Sequence, residues 1–297
     1  MQKLSKDKQK VFIKYVPHGI NPQTYFPTDV PDEFKREIFG NKEYEFVLYW
    51  SNRNIRRKQP SDVIYAYKMF CEEIGWDAAD RTCLLMHTQP VDENGTDLPA
   101  VIKAVAPKCN IIFSDKRREQ RELNYLANLA DYTINITNNE GFGLTTAESV
   151  MAGTPIIVNV TGGLQDQCGF KMDGKLLTSD DYITINSIHD WRVWKDKVTW
   201  GDWAIPIWPK ALSLAGSVPT PYIFDDRVDL YDVKNAILEA YNTPKTERKV
   251  NGLAGRDAFI NELGLSSDNM CNCMMDAIET TLSEWQPKKR FQIYKIK

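Results

Sequence analysis

No apolar run in this 297-residue chain is long enough to cross a bilayer, which takes about 20 consecutive apolar residues. The opening MQKLSKDKQK also lacks the apolar centre of a secretory leader, so a cytoplasmic protein is expected. A dominant charge is missing as well. With 37 basic and 40 acidic residues the formal charge is -3, which offers no broad cationic face for nucleic acid; any anion site has to be local. The cysteines, Cys71, Cys83, Cys109, Cys168, Cys271 and Cys273, contain no Cys-x-x-Cys pair, and the three histidines are far apart. Metal-ligand spacing is therefore absent, and reduced structural thiols are expected. No Gly-x-Gly-x-x-Gly follows the first strand candidate, which disfavours a dinucleotide oxidoreductase.

The composition that remains, 42% hydrophobic and 26% charged, is that of a globular chain. From residue 45 onward, short β-rich apolar runs alternate with segments of helical period. That pattern predicts an α/β fold, a Rossmann-like parallel sheet flanked by helices. Strands are expected at 45–50, 82–87, 110–113, 132–136 and 155–160. Helices are expected from Ser61, as the cap, to Gly75, then at about 98–106, 117–130 and 145–152, the last closed by Gly153. Residues 168–221 interrupt the alternation with Trp191, Trp194, Trp200, Trp203 and Trp208. They read as an insertion whose aromatics form a small core of their own, the alternative being a sugar platform or a partner-docking face. Regular structure resumes over 225–242, followed by helices at about 253–263 and 267–285 and a basic tail. The segments are therefore 1–30, 31–245 with the insertion, and 246–297.

Right-handed crossovers place all strand carboxyl ends on one edge, where such sheets bind ligands. The loops at those ends are SNRNIRRK after Trp50, TNNEGFGL after Ile136 and TGGLQDQ after Val160. Glu140 stands before Gly141, Phe142 and Gly143; the helix that follows carries Glu148. Glycines admit a ligand close to the backbone. Free N–H groups at Gly143, Leu144 and Thr145 suit a phosphate. Glu148, about one turn further, can accept hydrogen bonds from sugar hydroxyls. Arg53 and Lys58, with Arg56 and Arg57 between them, form a strand-end cation cluster, a planar fork plus a mobile point charge that suits a diphosphate.

The combination of VPHGINPQTYFP, the Arg53/Lys58 pair, EGFGLTTAES, MAGTPIIV and TGGLQD resembles family 4 of the retaining glycosyltransferases, the glycogen-synthase-like group with the GT-B fold. The likeness covers most of residues 11–166 and returns at DDRVDLYDVKNAILEAY. It implies the C-terminal, nucleotide-sugar-binding half of such an enzyme, with Glu140 and Glu148 as the family's Glu-x7-Glu motif. Glu140 would support the donor sugar, Glu148 the ribose, and Arg53 and Lys58 the diphosphate. It also implies transfer of a hexose from a nucleotide sugar to a glycan or other hydroxyl acceptor, with retention and without a metal or other cofactor. The base would meet the loop at Ser114 to Lys116. Gly162, Gly163 and Leu164 either border the sugar or form a plain turn, and His18 is a hinge residue rather than a base.

By the same resemblance VPHGINPQTYFP is the link between the two GT-B domains, so the acceptor domain is expected to be missing. The chain is then a fragment, one half of a split enzyme completed by a separate chain or a second copy, or a protein whose Trp-rich insertion replaces part of that domain. No nucleic-acid or integral-membrane partner is expected, and a catalytically incomplete donor-binding subunit is the alternative to an enzyme.

Overall fold

The computed structural model describes residues 12–178, 181 and 195–285. Along the chain these residues form α1 (Asp32–Phe39), β1 (Phe46–Ser51), α2 (Pro60–Ile74), α3 (Trp76–Ala79), β2 (Thr82–His87), α4 (Leu98–Val105), β3 (Ile111–Ser114) and α5 (Gln120–Leu129). There follow β4 (Tyr132–Asn135), α6 (Leu144–Met151), β5 (Ile156–Asn159), α7 (Gly163–Asp166), β6 (Lys171–Met172), β7 (Lys175–Leu176), β8 (Val198–Thr199) and β9 (Ala204–Ile207). The described part closes with β10 (Ala211–Leu214), β11 (Phe224–Arg227), α8 (Leu230–Asn242), α9 (Lys245–Asn261) and α10 (Ser267–Glu284).

The central sheet has six strands in the order β3-β2-β1-β4-β5-β9, every neighbouring pair parallel. Strand β1 is buried along its whole length, because both faces of a parallel sheet are covered. Phe46, Leu48 and Trp50 face a core built with Val63, Ile64, Tyr67 and Phe70 of α2 and Val233 and Ile237 of α8. Val47 and Tyr49 alternate to the other face, against Phe34 and Ile38 of α1 and Leu126 of α5. Ile156 and Val158 of β5 extend that second face against Val150 of α6 and Phe259 of α9.

The five expected strands are present to within two residues at their ends. The sixth is not where the alternation predicts one. Ala204–Ile207 lies inside the stretch read as an insertion, yet it pairs with β5 from Ile156↔Ala204 to Asn159↔Ile207 and completes the sheet. Trp203, beside it, is buried and donates Nε1–H to the Gln167 carbonyl at 2.9 Å. Phe170, Trp200 and Trp208 stack near one another, with ring centroids 5.4–6.4 Å apart. Trp191, Trp194, the tail and residues 1–11 lie outside the described residues. Helix α2 also begins differently from expectation. Pro60 takes its first turn, where a missing N–H is harmless, and Gln59, at φ 54°, occupies the cap position given above to Ser61.

The amino-terminal segment is tied to the carboxyl-terminal helices. The Ile20 N–H donates to the Leu265 carbonyl at 2.9 Å, and the Ser267 N–H to that of Ile20 at 2.9 Å. Arg256 of α9 donates to the carbonyls of Tyr25 at 2.7 Å and Pro22 at 2.9 Å, and to that of Met151. No helix among the described residues is long and apolar enough to cross a membrane.

Candidate functional site

Because the six strands run the same way, the loops after β1, β2, β3, β4 and β5 open on one edge. The β1 and β4 loops are joined through Arg57. Its carbonyl accepts from the Asn138 N–H at 2.9 Å and the Thr137 hydroxyl at 3.0 Å, while its guanidinium donates to the Asn139 carbonyl at 2.9 Å. Beyond it, the short helical turn Arg56–Lys58 carries the buried Lys58 back to the carboxylate of Glu140. Burial lowers the pKa of Lys58, and the Glu140 carboxylate opposes that shift. Arg57 adds a second cation 3.7 Å from Glu140.

The loop after β5 braces this arrangement. The Gly163 N–H donates to the Glu140 carbonyl at 3.1 Å. Gly162, at φ 48°, sits so close that a Cβ there would lie 2.0 Å from the same oxygen. Gly143, at φ 90°, turns the chain into α6, and the Gln167 amide donates to the Phe142 and Gly143 carbonyls at 2.6 and 3.0 Å. Leu144, Thr145 and Thr146 therefore open α6 with N–H groups that no preceding helical turn accepts. His18 meets Phe142 edge-on, ring centroids 4.8 Å apart.

Next to this loop is a cavity of about 450 Å³. Arg53, Ser114, Thr145 and Glu148 line it together with Lys116. Glu148 is largely buried there. Burial pushes its pKa up to about 7, and hydrogen bonding with the Tyr25 hydroxyl pulls the other way. Arg53 is held from the side by Asp92, Nε to Oδ2 at 2.9 Å and Nη2 to Oδ1 at 3.3 Å. His87, at the end of β2, donates Nδ1–H to the Ser114 carbonyl at 2.8 Å. Burial lowers its pKa, so the ring is neutral near pH 7.

Of the residues singled out above, then, Arg53, Glu148, Ser114 and Thr145 come together around one cavity, with Gly141, Phe142, Gly143 and Leu144 on the adjoining loop and helix start. Lys58 and Glu140 do not line the cavity; they engage each other beside it. Tyr25, Tyr49, His87 and Gln89 also line it and were not singled out above. His87 and Gln89 had a signal, their place at the carboxyl end of a strand; Tyr25 stands in VPHGINPQTYFP, read above as a link rather than as a wall of the site.

The arrangement offers a fixed guanidinium, a helix start and a buried acceptor carboxylate around a volume suited to a small polar molecule. The fold is that of the C-terminal half of GT-B glycosyltransferases. No family model and no curated protein matches the sequence. Among solved structures, a glycosyltransferase from Rickettsia africae superposes with TM-score 0.61 at 13% identity, over 94% of this chain and 59% of that one. Sucrose-phosphate synthase from Thermosynechococcus elongatus gives 0.58 at 14% identity, over 90% and 52%. The C-terminal domain of a group 1 family glycosyl transferase, LpcC, from Francisella tularensis gives 0.52 at 13%, over 82% of this chain and 98% of that domain. This chain thus spans between half and three-fifths of the first two.

Proposed function

We propose that this chain binds a nucleotide diphosphate sugar and serves a family 4, retaining hexosyl transfer to a hydroxyl acceptor in the cytoplasm. The observation that carries the reading is the meeting of Arg53, Ser114, Thr145 and Glu148 at one cavity on the carboxyl edge of the sheet, a place where open parallel sheets hold nucleotides. In this reading Glu148 accepts from the ribose hydroxyls and the loop at Ser114 to Lys116 meets the base. Arg53 and the start of α6 stabilise the charge that grows on the departing diphosphate. Lys58 shares its proton donors between Glu140 and that diphosphate, so Glu140 holds the cation in place as well as supporting the donor sugar. The acceptor hydroxyl attacks from the face the diphosphate leaves, which gives retention, and the reading assigns no step to a metal.

A second reading is a donor-binding module that turns over only when an acceptor-binding half is supplied; the described residues match neighbours over only 52–59% of those chains. A thermal-shift panel of UDP-, GDP- and ADP-sugars tests the shared part. One nucleotide series is expected to raise the melting temperature in a saturable way, and no response to any member would refute donor binding. Donor hydrolysis and transfer assays then separate the two: saturable binding without turnover, with acceptors supplied, selects the module.

A further inference from the structure

The guanidinium of Arg53 is an exposed group on a long stem; its side chain is 64% exposed, while that of its partner Asp92 is 14% exposed. Packing does not fix it. What fixes it is the loop between β2 and α4, which is fastened to the segment around Arg53 by bonds on both sides. Asn54, fully buried, donates its amide to the Thr96 carbonyl at 2.7 Å and the Pro90 carbonyl at 3.2 Å. The Thr96 N–H returns a bond to Asn54 Oδ1 at 3.3 Å, and the Arg56 N–H donates to the Asn94 carbonyl at 3.3 Å. Gly95 lies so near that a Cβ would be 2.1 Å from the Asn54 carbonyl oxygen. Within this loop the Asn94 N–H donates to Asp92 Oδ1 at 2.9 Å, which sets the carboxylate.

The pairing is one-sided. Asp92 takes Nε–H and one hydrogen of Nη2, and a guanidinium has five N–H donors. The two hydrogens of Nη1 and the second of Nη2 are left, a fork of the kind that grips two phosphate oxygens. Among the described residues Arg53 makes no other side-chain hydrogen bond or ion pair, and it lines the cavity that holds Glu148.

We infer that Asp92 is a positioning residue: it orders Arg53 in advance so that the free edge of the guanidinium meets the diphosphate of a bound nucleotide. This rests on the donor-binding reading above. Ordering a long, exposed side chain before the ligand arrives removes an entropy loss that binding otherwise has to meet. The alternative, that Asp92 competes with phosphate for the same guanidinium, makes the opposite forecast.

The test is calorimetric titration of UDP, GDP and ADP, and of uridine, guanosine and adenosine, into the full chain and its Asp92→Asn, Arg53→Ala and double variants. Asparagine keeps an acceptor for the Asn94 N–H, so the loop is retained. The diphosphate that binds the unaltered chain is expected to bind Asp92→Asn about three- to tenfold more weakly, toward the lower end of the couplings seen between groups in direct contact. Its nucleoside should bind both equally, and Asp92→Asn should add nothing once Arg53 is alanine. Equal or tighter diphosphate binding by Asp92→Asn overturns the inference, as do independent losses in the double variant or a parallel loss of nucleoside affinity. If the unaltered chain binds none of the three diphosphates, the donor-binding reading falls and this one with it. Binding that ignores Asp92→Asn overturns this one alone.

Discussion

Replacing Glu148 by glutamine should make the protein more stable above pH 7 and leave it unchanged at acid pH. Burial raises the Glu148 pKa from the ordinary 4.5 to about 7. Between those values the folded chain holds a proton that the unfolded chain has released, so stability falls as pH rises across the window and levels off above it. A rise of that size corresponds to a cost of about 3 kcal/mol at pH 8, carried by the ionised carboxylate. Glutamine removes the charge but leaves an amide to be satisfied, for which the Tyr25 hydroxyl is at hand. A net gain of about 1–3 kcal/mol is expected at pH 8, a rise of about 2–5 °C in melting temperature for a chain of this length. The assay is thermal or denaturant unfolding of both proteins in steps from pH 4.5 to 8.5. A gap that opens between pH 5 and 7 supports the reasoning; a gap independent of pH, or a glutamine variant less stable at pH 8, refutes it. A gain in stability accompanied by loss of nucleotide affinity would mark Glu148 as a group kept for its ligand.

Two further outcomes follow from the loops. Glu140→Gln strands the buried ammonium of Lys58 near the Arg57 cation and should cost about 3 kcal/mol, much of it regained in Lys58→Met/Glu140→Gln, where neither charge is left; denaturant titration checks both, and an unaltered single variant would show the pair to be inconsequential. Gly162→Ala puts a Cβ against the Glu140 carbonyl at a φ of 48°, so a loss of about 1–3 kcal/mol is expected. Nucleoside diphosphate affinity should drop with it because the 140–143 loop is displaced, and wild-type melting with wild-type affinity would contradict the packing described.

The sheet was legible because parallel strands buried on both faces read as short continuous apolar runs, as in FVLYW and IIVN. The last strand, AIPI, was hidden by its proline and by the tryptophans around it, which signal aromatic packing more strongly than strand. Helix α1 was missed for a related reason: DEFKREIF buries only Phe34 and Ile38, too few apolar positions for a period to show. Helix α9 starts at Lys245, eight residues before the apolar pattern begins at Leu253, because Pro244 rather than hydrophobicity sets its start. At the site, strand-end position pointed to Arg53 and Glu140, and the helix after β4 to Glu148; of these Arg53 and Glu148 line the cavity. Pairings across sequence did not show: the acid on Arg53 lies 39 residues away. The contact between Lys58 and Glu140, 82 residues apart, turns two expected ligand groups into partners of each other.

The Arg256 clamp makes the amino-terminal segment a working part of the cavity. Tyr25, whose hydroxyl tunes Glu148 and whose ring forms a wall, hangs by its own carbonyl from a guanidinium on α9. Ahead of it the segment is also fastened by two backbone bonds near Ser266, by the edge contact of His18 with Phe142 and by the ion pair of Lys14 with Asp276. Displacing this segment moves a wall of the cavity together with the hydrogen-bond partner of Glu148.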